Sequence, residues 1–466
     1  MKQKFFIFAV LIFFLFSCSK SDSIPIIVTT DIHGAFLAEK GNEGSLAAVA
    51  SVIKEVRKKN SDLILLDNGD ILQGTPALHY FNAVATEKKH IVSEVMNYLK
   101  YDAATIGNHD VEAGYKTLKK IEKEFSFPWL SANITLNETM MPLFKPFTII
   151  ERKGLKIAVI GITTVTAQKA KKPEDGEIIH LNNMKEMSAR WIGIVKRDHN
   201  PDIVIGLFHE GLEFVKPVIE SVSGFDIAFT GHEHLKTETL VISLGKKEVP
   251  VLGASNKGQS FVKGEITLIN KKISFKGEVV SSENKPENKE FATFVKGLLK
   301  EAKEYEESTV TKLSADMNHS NYVDLIHNTL LKMTDAELSI TAPAAKDVFL
   351  KAGKITVREL FDIYPFDNFP VVLQLSGEEI ETLLSHSKSL QLADSKHKRF
   401  YNNLSMKSIS NKPLEKSKLY SVAMSSYHAF DGGEMLSQSL GLNPKKLAER
   451  IVKVEQGNIR EYLFKH

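Results

Sequence analysis

Between Ile24 and about Val280 the chain alternates short apolar, often β-branched runs with amphipathic stretches, and the runs tend to end in small or polar residues. The clearest are Ile26-Ile27-Val28, Leu63-Ile64-Leu65-Leu66, Ala103-Ala104-Thr105-Ile106, Ile157-Ala158-Val159-Ile160, Ile203-Val204-Ile205 and Ile227-Ala228-Phe229. They are continuous rather than alternating, as strands covered on both faces are, so the pattern is that of a layered α/β domain. Polar residues just beyond the runs are then expected to line one sheet edge. Helical spacing is plainest over Leu46 to Lys59 and around Glu290 to Glu307. The polar, proline-containing segment Ser281 to Pro286 precedes the second helix and suits a domain boundary. From about Ser308 onward the pattern is mixed, and the sequence contains no internal repeat or long low-complexity tract.

Length agrees with two domains, since 466 residues exceed one ordinary domain and the 43% apolar content is that of soluble globular protein. Lysine plus arginine (60) nearly balance aspartate plus glutamate (57), and the net charge of +3 supplies no broad field for a nucleic-acid polymer or a membrane. Any recognition of phosphate has to be local. The first residues stand apart: Lys2 and Lys4 precede an unbroken apolar run from Phe5 to Phe16, which is a signal peptide's layout. That run is shorter than the roughly 20 residues a membrane-crossing helix needs, and no later segment approaches that length. Cys18, the single cysteine, excludes internal disulfides and thiolate metal clusters. Its place after Leu15-Phe16-Ser17 resembles the lipobox of bacterial lipoproteins, with residues 19–23 as a tether. A short membrane anchor, or an ordinary signal with an incidental cysteine, is the bland alternative.

The residues that end the runs carry the candidate chemistry. Asp31 and His33 lie two apart, so that in extended chain a carboxylate and an imidazole face one side. Asp67-Asn68-Gly69-Asp70 offers a close turn at Gly69 and a carboxylate able to bridge two cations with its two oxygens. Gly107-Asn108-His109-Asp110 offers an amide oxygen for a metal and an imidazole for acid/base work. His209 and the segment Gly231-His232-Glu233-His234 follow later runs. Any one of these alone reads as a turn, a cap or a satisfied polar residue. Together, in this order and all of types that suit divalent cations, they do not read as coincidence.

Taken together they resemble the calcineurin-like metallophosphoesterase pattern of DxH, GD, GNH[DE], H and GHxH. The wording around Asp31 and Asn108 resembles the two signature segments of the bacterial 5′-nucleotidase family, which includes UDP-sugar hydrolases and 2′,3′-cyclic nucleotide phosphodiesterases. The resemblance implies a four-layer α/β/β/α sandwich over 24–285, a linker helix over 286–307 and a C-terminal α+β substrate-binding domain over 308–466. It implies two divalent cations (Mn, Zn, Mg, Co or Fe), with Asp31, His33 and His234 holding one, Asn108, His209 and His232 the other, and Asp70 bridging. His109 would act over the phosphate, oriented by Glu112 where the family generally has aspartate.

Gly353 to Leu360, Tyr364 to Asn368 and Leu375 to Ile380 resemble the family's C-terminal domain. There two rings sandwich the base. Phe366 matches the first, and the second falls in Tyr427 to Glu434, where alignment on Ala429 selects Tyr427 and gaps select His428 or Phe430; Asp431 joins the implied substrate-binding residues. Ile340-Thr341-Ala342-Pro343-Ala344-Ala345 stands where many 5′-nucleotidases carry an arginine-containing segment, and looks more like the cyclic-nucleotide phosphodiesterase branch. The expected function is a dinuclear-metal hydrolase of nucleotide esters in nucleotide salvage, exported and lipid-anchored, at the periplasm or cell surface, with no nucleic-acid polymer or protein partner. The alternatives are a 2′,3′-cyclic nucleotide 2′-phosphodiesterase/3′-nucleotidase, a UDP-sugar hydrolase, a relative acting on sulfur-containing substrates, and a non-enzymatic surface lipoprotein.

Overall fold

The computed structural model describes residues 23–465 apart from 40–43, 138, 168–170, 173–174, 176–177, 246, 270–271, 394–402 and 411. The expected signal segment with Cys18 lies outside the described residues, among which no helix is long and apolar enough to cross a membrane.

Two six-stranded sheets form the first part of the chain. In the first, the order is 272–281, 260–269, 23–29, 64–67, 103–105, 129–130; in the second it is 237–244, 247–253, 227–230, 203–209, 155–163, 147–152. The strand Ser23–Thr29 shows why the runs are continuous. Successive side chains point to opposite faces, so Ile24, Ile26 and Val28 enter a core shared with Ile157, Val159, Ile205 and Phe229 of the other sheet. Ile27 enters a second core against the helices Leu46–Lys59 and Ile91–Leu99. On the far side, Ala158, Ile160 and Val204 pack against Met184–His199 and Leu212–Ser221. The layers are therefore helix, sheet, sheet, helix. This corrects the expectation of one sheet edge: 23–29, 64–67 and 103–105 belong to one sheet, and 155–163, 203–209 and 227–230 to the other. Continuous apolar runs demand two covered faces but do not say whether a helix or a second sheet covers them.

The helix expected around Glu290 to Glu307 is two, Lys289–Leu298 and Lys300–Glu306. Asn288 caps the first by accepting from Phe291 N (3.1 Å), and Phe291, Ala292, Val295 and Ala302 are buried in the core of the first sheet and its helices. The segment is thus part of the first domain's core as well as its exit, and Glu306 pairs with Arg358 beyond it.

The second domain centres on a five-stranded sheet ordered 405–408, 338–341, 419–425, 370–376, 451–454. One face buries Ile340, Val371 and Leu373 with Ile380 and Leu383 of the helix Gly377–Ala393; the other buries Val372 and Ala423 with Tyr322, Ile326 and Leu330 of His319–Thr334. A capping box between Thr356 and Glu359 starts the helix Val357–Ile363, whose end delivers Tyr364-Pro365-Phe366 toward the first domain. There the Gln73 side-chain amide donates to the Pro365 carbonyl (3.2 Å).

Candidate metal centre

Parallel pairing brings the strand ends level. Thr29 lies beside Asp67, Asp67 beside Ala104, Thr163 beside His209 and Thr230 beside Phe208, so the residues just past each strand converge between the two sheets. Asp31, His33 and His234 present ligand atoms within 4.8 Å of one another, and Asp70, His209 and His232 do the same. Asn108 joins the second group, its Oδ1 3.1 Å from His209 Nε2. The chain's backbone is bent hard to do this. Asp31 (φ 51°), His33 (48°), Asp70 (60°), His232 (71°) and His234 (59°) all adopt left-handed conformations, which cost on the order of 1–3 kcal/mol each for non-glycine residues. Gly69, at φ 94°, makes the turn its neighbourhood requires.

Hydrogen bonds aim the donor atoms. His33 Nδ1 donates to Gln73 O (2.9 Å) and His209 Nδ1 to Asn68 O (2.7 Å), which leaves each Nε2 lone pair facing inward. Asp31 Oδ2 accepts from Thr30 Oγ1 (2.5 Å) and His232 N (3.1 Å). Its Oδ1 has no hydrogen-bond partner among the described residues and stands 3.4 Å from His234 Nε2. Asp70 Oδ1 accepts from His109 N (2.8 Å). Its Oδ2 faces both groups, 3.9 Å from His33 Nε2 and 3.1 Å from His209 Nε2, and has no hydrogen-bond partner among the described residues.

Two buried carboxylate oxygens without hydrogen donors, ringed by imidazole nitrogens and an amide oxygen, are what divalent cations of hard or borderline character require. The electrostatics agree. Burial disfavours charge on Asp31 and Asp70, but the surrounding imidazoles outweigh it and hold both carboxyls below their ordinary range. Burial likewise opposes a proton on His209, yet Asp70 and Asp31 push its pKa up to about 10. The field that draws a proton to that nitrogen draws any cation placed there.

His109 is not in either group. Its Nδ1 lies 2.9 Å from Glu112 Oε1 and its ring 5.4 Å from that of His33, at the border of the centre. Burial lowers its pKa, but Glu112 and Asp70 outweigh burial and raise it to about 10. Asp110 is a residue whose role its motif did not reveal. Its Oδ1 accepts from Ile71 N (2.8 Å) and Leu72 N (2.9 Å), and its Oδ2 from Asp70 N (3.0 Å) and Gly107 N (2.7 Å). One buried carboxylate thus locks the Asp70 turn onto the Asn108–His109 turn.

In the second domain Phe366 and Tyr427 are exposed (38% and 41%), whereas His428 is buried at 6%. His428 Nδ1 is 2.9 Å from Ser425 Oγ, and Phe430 packs edge-on to Phe369. Of the alternatives for the second ring, Tyr427 is the one presented to solvent. Asp431 Oδ1 accepts from Leu436 N (2.8 Å) and Ser437 N (3.0 Å), holding the turn that follows Tyr427. Ile340 to Ala344 are buried and supply no cation.

Comparison with known proteins places these observations in a family. Residues 24–236 match the calcineurin-like phosphoesterase family, and residues 299–438 match the 5′-nucleotidase C-terminal domain. Protein UshA of Yersinia enterocolitica is 24% identical over 480 residues, covering 89% of this chain and 86% of that protein. A 5′-nucleotidase of Vibrio cholerae is 33% identical over 196 residues, 41% of this chain and 34% of that protein. The crystal structure of a 5′-nucleotidase precursor from Thermus thermophilus shares the fold, with a TM-score of 0.66 at 20% identity over 93% of this chain and 98% of that one. The paired domains, matched across most of the chain, establish that it belongs to the calcineurin-like metallophosphoesterases that carry a 5′-nucleotidase C-terminal domain, hydrolases of phosphate esters.

Proposed function

We propose that the chain hydrolyses nucleotide phosphate esters with two divalent cations, in the manner of a 5′-nucleotidase, outside the cytoplasm. The observation that carries this reading is the meeting of the two ligand groups on one oxygen of Asp70. Asp31, His33 and His234 would hold one cation and Asn108, His209 and His232 the other. Two cations held there would supply an activated water, a clamp on the phosphate and stabilisation of charge on the attacking and leaving oxygens. The chain's own part is orientation and proton supply. His109, its Nδ1 engaged by Glu112, presents Nε2–H to a phosphate oxygen or to the leaving oxygen. Phe366 and Tyr427 offer flat faces to a base, a mode of binding that tolerates many bases.

Release of inorganic phosphate from 5′-, 3′- and 2′,3′-cyclic nucleotides, after chelation and reloading with each metal, tests the proposal. No turnover of any nucleotide with any metal would overturn it. The buried, arginine-free segment Ile340 to Ala344 favours a second reading, 2′,3′-cyclic nucleotide 2′-phosphodiesterase with 3′-nucleotidase activity, and the same screen decides between the two. Export and anchoring rest on the charged start, short apolar run and Cys18 of the sequence. Mass spectrometry of the native protein is expected to find an acylated Cys18 as its first residue; an unmodified one ends that part of the proposal.

A further inference from the structure

Arg460 is the one arginine among the largest fully enclosed side chains, with 1% of its surface exposed. A buried guanidinium is tolerated only when its donors are satisfied, and the partners of this one are unusually placed. It donates to the carbonyls of Tyr364 (3.4 Å) and Phe366 (3.2 Å), pairs with the Asp367 carboxylate, and lies 3.7 Å over the Phe361 ring. All of these belong to the helix end and loop that present Phe366. Its remaining partner is across the domain boundary: Nη2 donates to His79 Nδ1 (3.2 Å), in the short helix Pro76–His79 that follows the Asp70 turn. Burial and the guanidinium keep His79 neutral, its pKa pushed down to about 4, so Nδ1 is an acceptor. The contact has a neighbour of the same kind, since Gln73, whose carbonyl orients His33, donates its side-chain amide to Pro365 O. The loop is also tied to the second ring's segment, Ser426 Oγ donating to Asn368 Oδ1 (3.2 Å).

We propose that Arg460 is a positioning residue for base recognition, fixing the Tyr364–Asp367 loop that carries Phe366 and tying it to His79, so that the stacking ring stands at a set distance from the metal centre. This rests on the nucleotide reading above. A base held at the wrong distance cannot place its phosphate, so the loss falls on substrates that have a base. Lysine does not replace such a residue, because a point charge cannot reproduce the planar fork that serves two carbonyls, a carboxylate and an imidazole at once.

The test is steady-state hydrolysis of nucleotides and of p-nitrophenyl phosphate by the full chain and by Arg460→Met, Arg460→Lys, His79→Phe, Phe366→Ala and Phe366→Ala/Arg460→Met. The ratio of nucleotide to p-nitrophenyl phosphate kcat/KM is expected to fall about tenfold in both Arg460 variants and in His79→Phe, chiefly through KM. In the Phe366→Ala background the Arg460 change should add little, because the two act through one contact. His79→Phe keeps the ring packing on Tyr305 and Phe361 and leaves the second domain intact, so it carries the test if Arg460→Met does not fold. A wild-type enzyme that prefers nucleotides, with variants that lose both substrates in equal proportion or losses that add in the double variant, overturns the role of Arg460 alone. A wild-type enzyme without that preference overturns the nucleotide reading and this role with it.

Discussion

His109 and Glu112 lie one helical turn apart, and the imidazole Nδ1 meets the Glu112 carboxylate at 2.9 Å. The resembling family generally places an aspartate there, and the extra methylene of glutamate does not prevent contact. Its other oxygen, Oε2, is buried without a partner among the described residues, so the carboxylate is committed to His109. We expect His109→Ala to lower kcat by about 10²–10⁴-fold, the usual worth of a placed acid or base, while both metals stay bound. Glu112→Gln should lower kcat by less, because the ring is kept and only its orientation and basicity change. Metal analysis of each variant beside its turnover is the check, and loss of metal from His109→Ala would show that it is a ligand.

Phe366→Ala should weaken nucleotide use far more than use of p-nitrophenyl phosphate. Stacking is worth roughly 1–3 kcal/mol per base, which corresponds to about a tenfold to hundredfold fall in kcat/KM for nucleotides. The small ester has no base to lose. Equal losses on both substrates would make Phe366 a packing residue, against its 38% exposure.

What was legible in the sequence divides along physical lines. The candidate ligand residues could be picked out because strand ends are marked locally: an apolar run stops and a side chain able to coordinate follows within a few residues, as at Asp31, Asp70 and Asn108. The helix Leu46–Lys59 could be read from its spacing and was found with those bounds. The apolar runs alone could not tell the second sheet from a helical cover, because both demand the same apolar face; the two sheets were expected only from the family resemblance. Nor could the sequence show the hydrogen bond that gives one Asp70 oxygen to the His109 amide, or the four amides gathered by Asp110. Arg460 gave no signal at all, since a lone arginine near a chain's end reads as surface, and only the fold encloses it.

Acid should destabilise the second domain through His327. It is buried at 3% exposure, with Nδ1 2.8 Å from Ser339 Oγ and Nε2 3.0 Å from Ser405 Oγ, and burial, aided by Lys407, pushes its pKa down from 6.5 to about 4. The unfolded chain then binds a proton between those two values that the folded one refuses. Stability is therefore lost as pH falls from 6.5 toward 4, by up to about 1.4 kcal/mol per pH unit from this residue. Below 4 the slope from His327 ends. Thermal melts from pH 7 to 4.5 should show a shallower decline for His327→Gln than for the wild type, and parallel declines would mean that His327 is not held neutral.

Asp70 should matter more than any single histidine of the centre. Its Oδ2 faces His33 at 3.9 Å and His209 at 3.1 Å, so both proposed cation sites would draw on one oxygen, whereas His33 belongs only to the group with Asp31 and His234. Its Oδ1 also accepts from the His109 amide, and so helps to place His109, the proposed acid. Asp70→Ala is thus expected to lose both metals and essentially all turnover, while His33→Ala loses one metal preferentially and retains a residue of activity at high metal concentration. Asp70→Asn keeps the shape and one acceptor oxygen but not the charge, and should fall between the two. The measurement is metal content per chain beside turnover across a metal titration. Two metals per chain and near-normal turnover in Asp70→Ala would show that the two ligand groups do not share this oxygen, and the division of the centre into two sites would have to be drawn elsewhere.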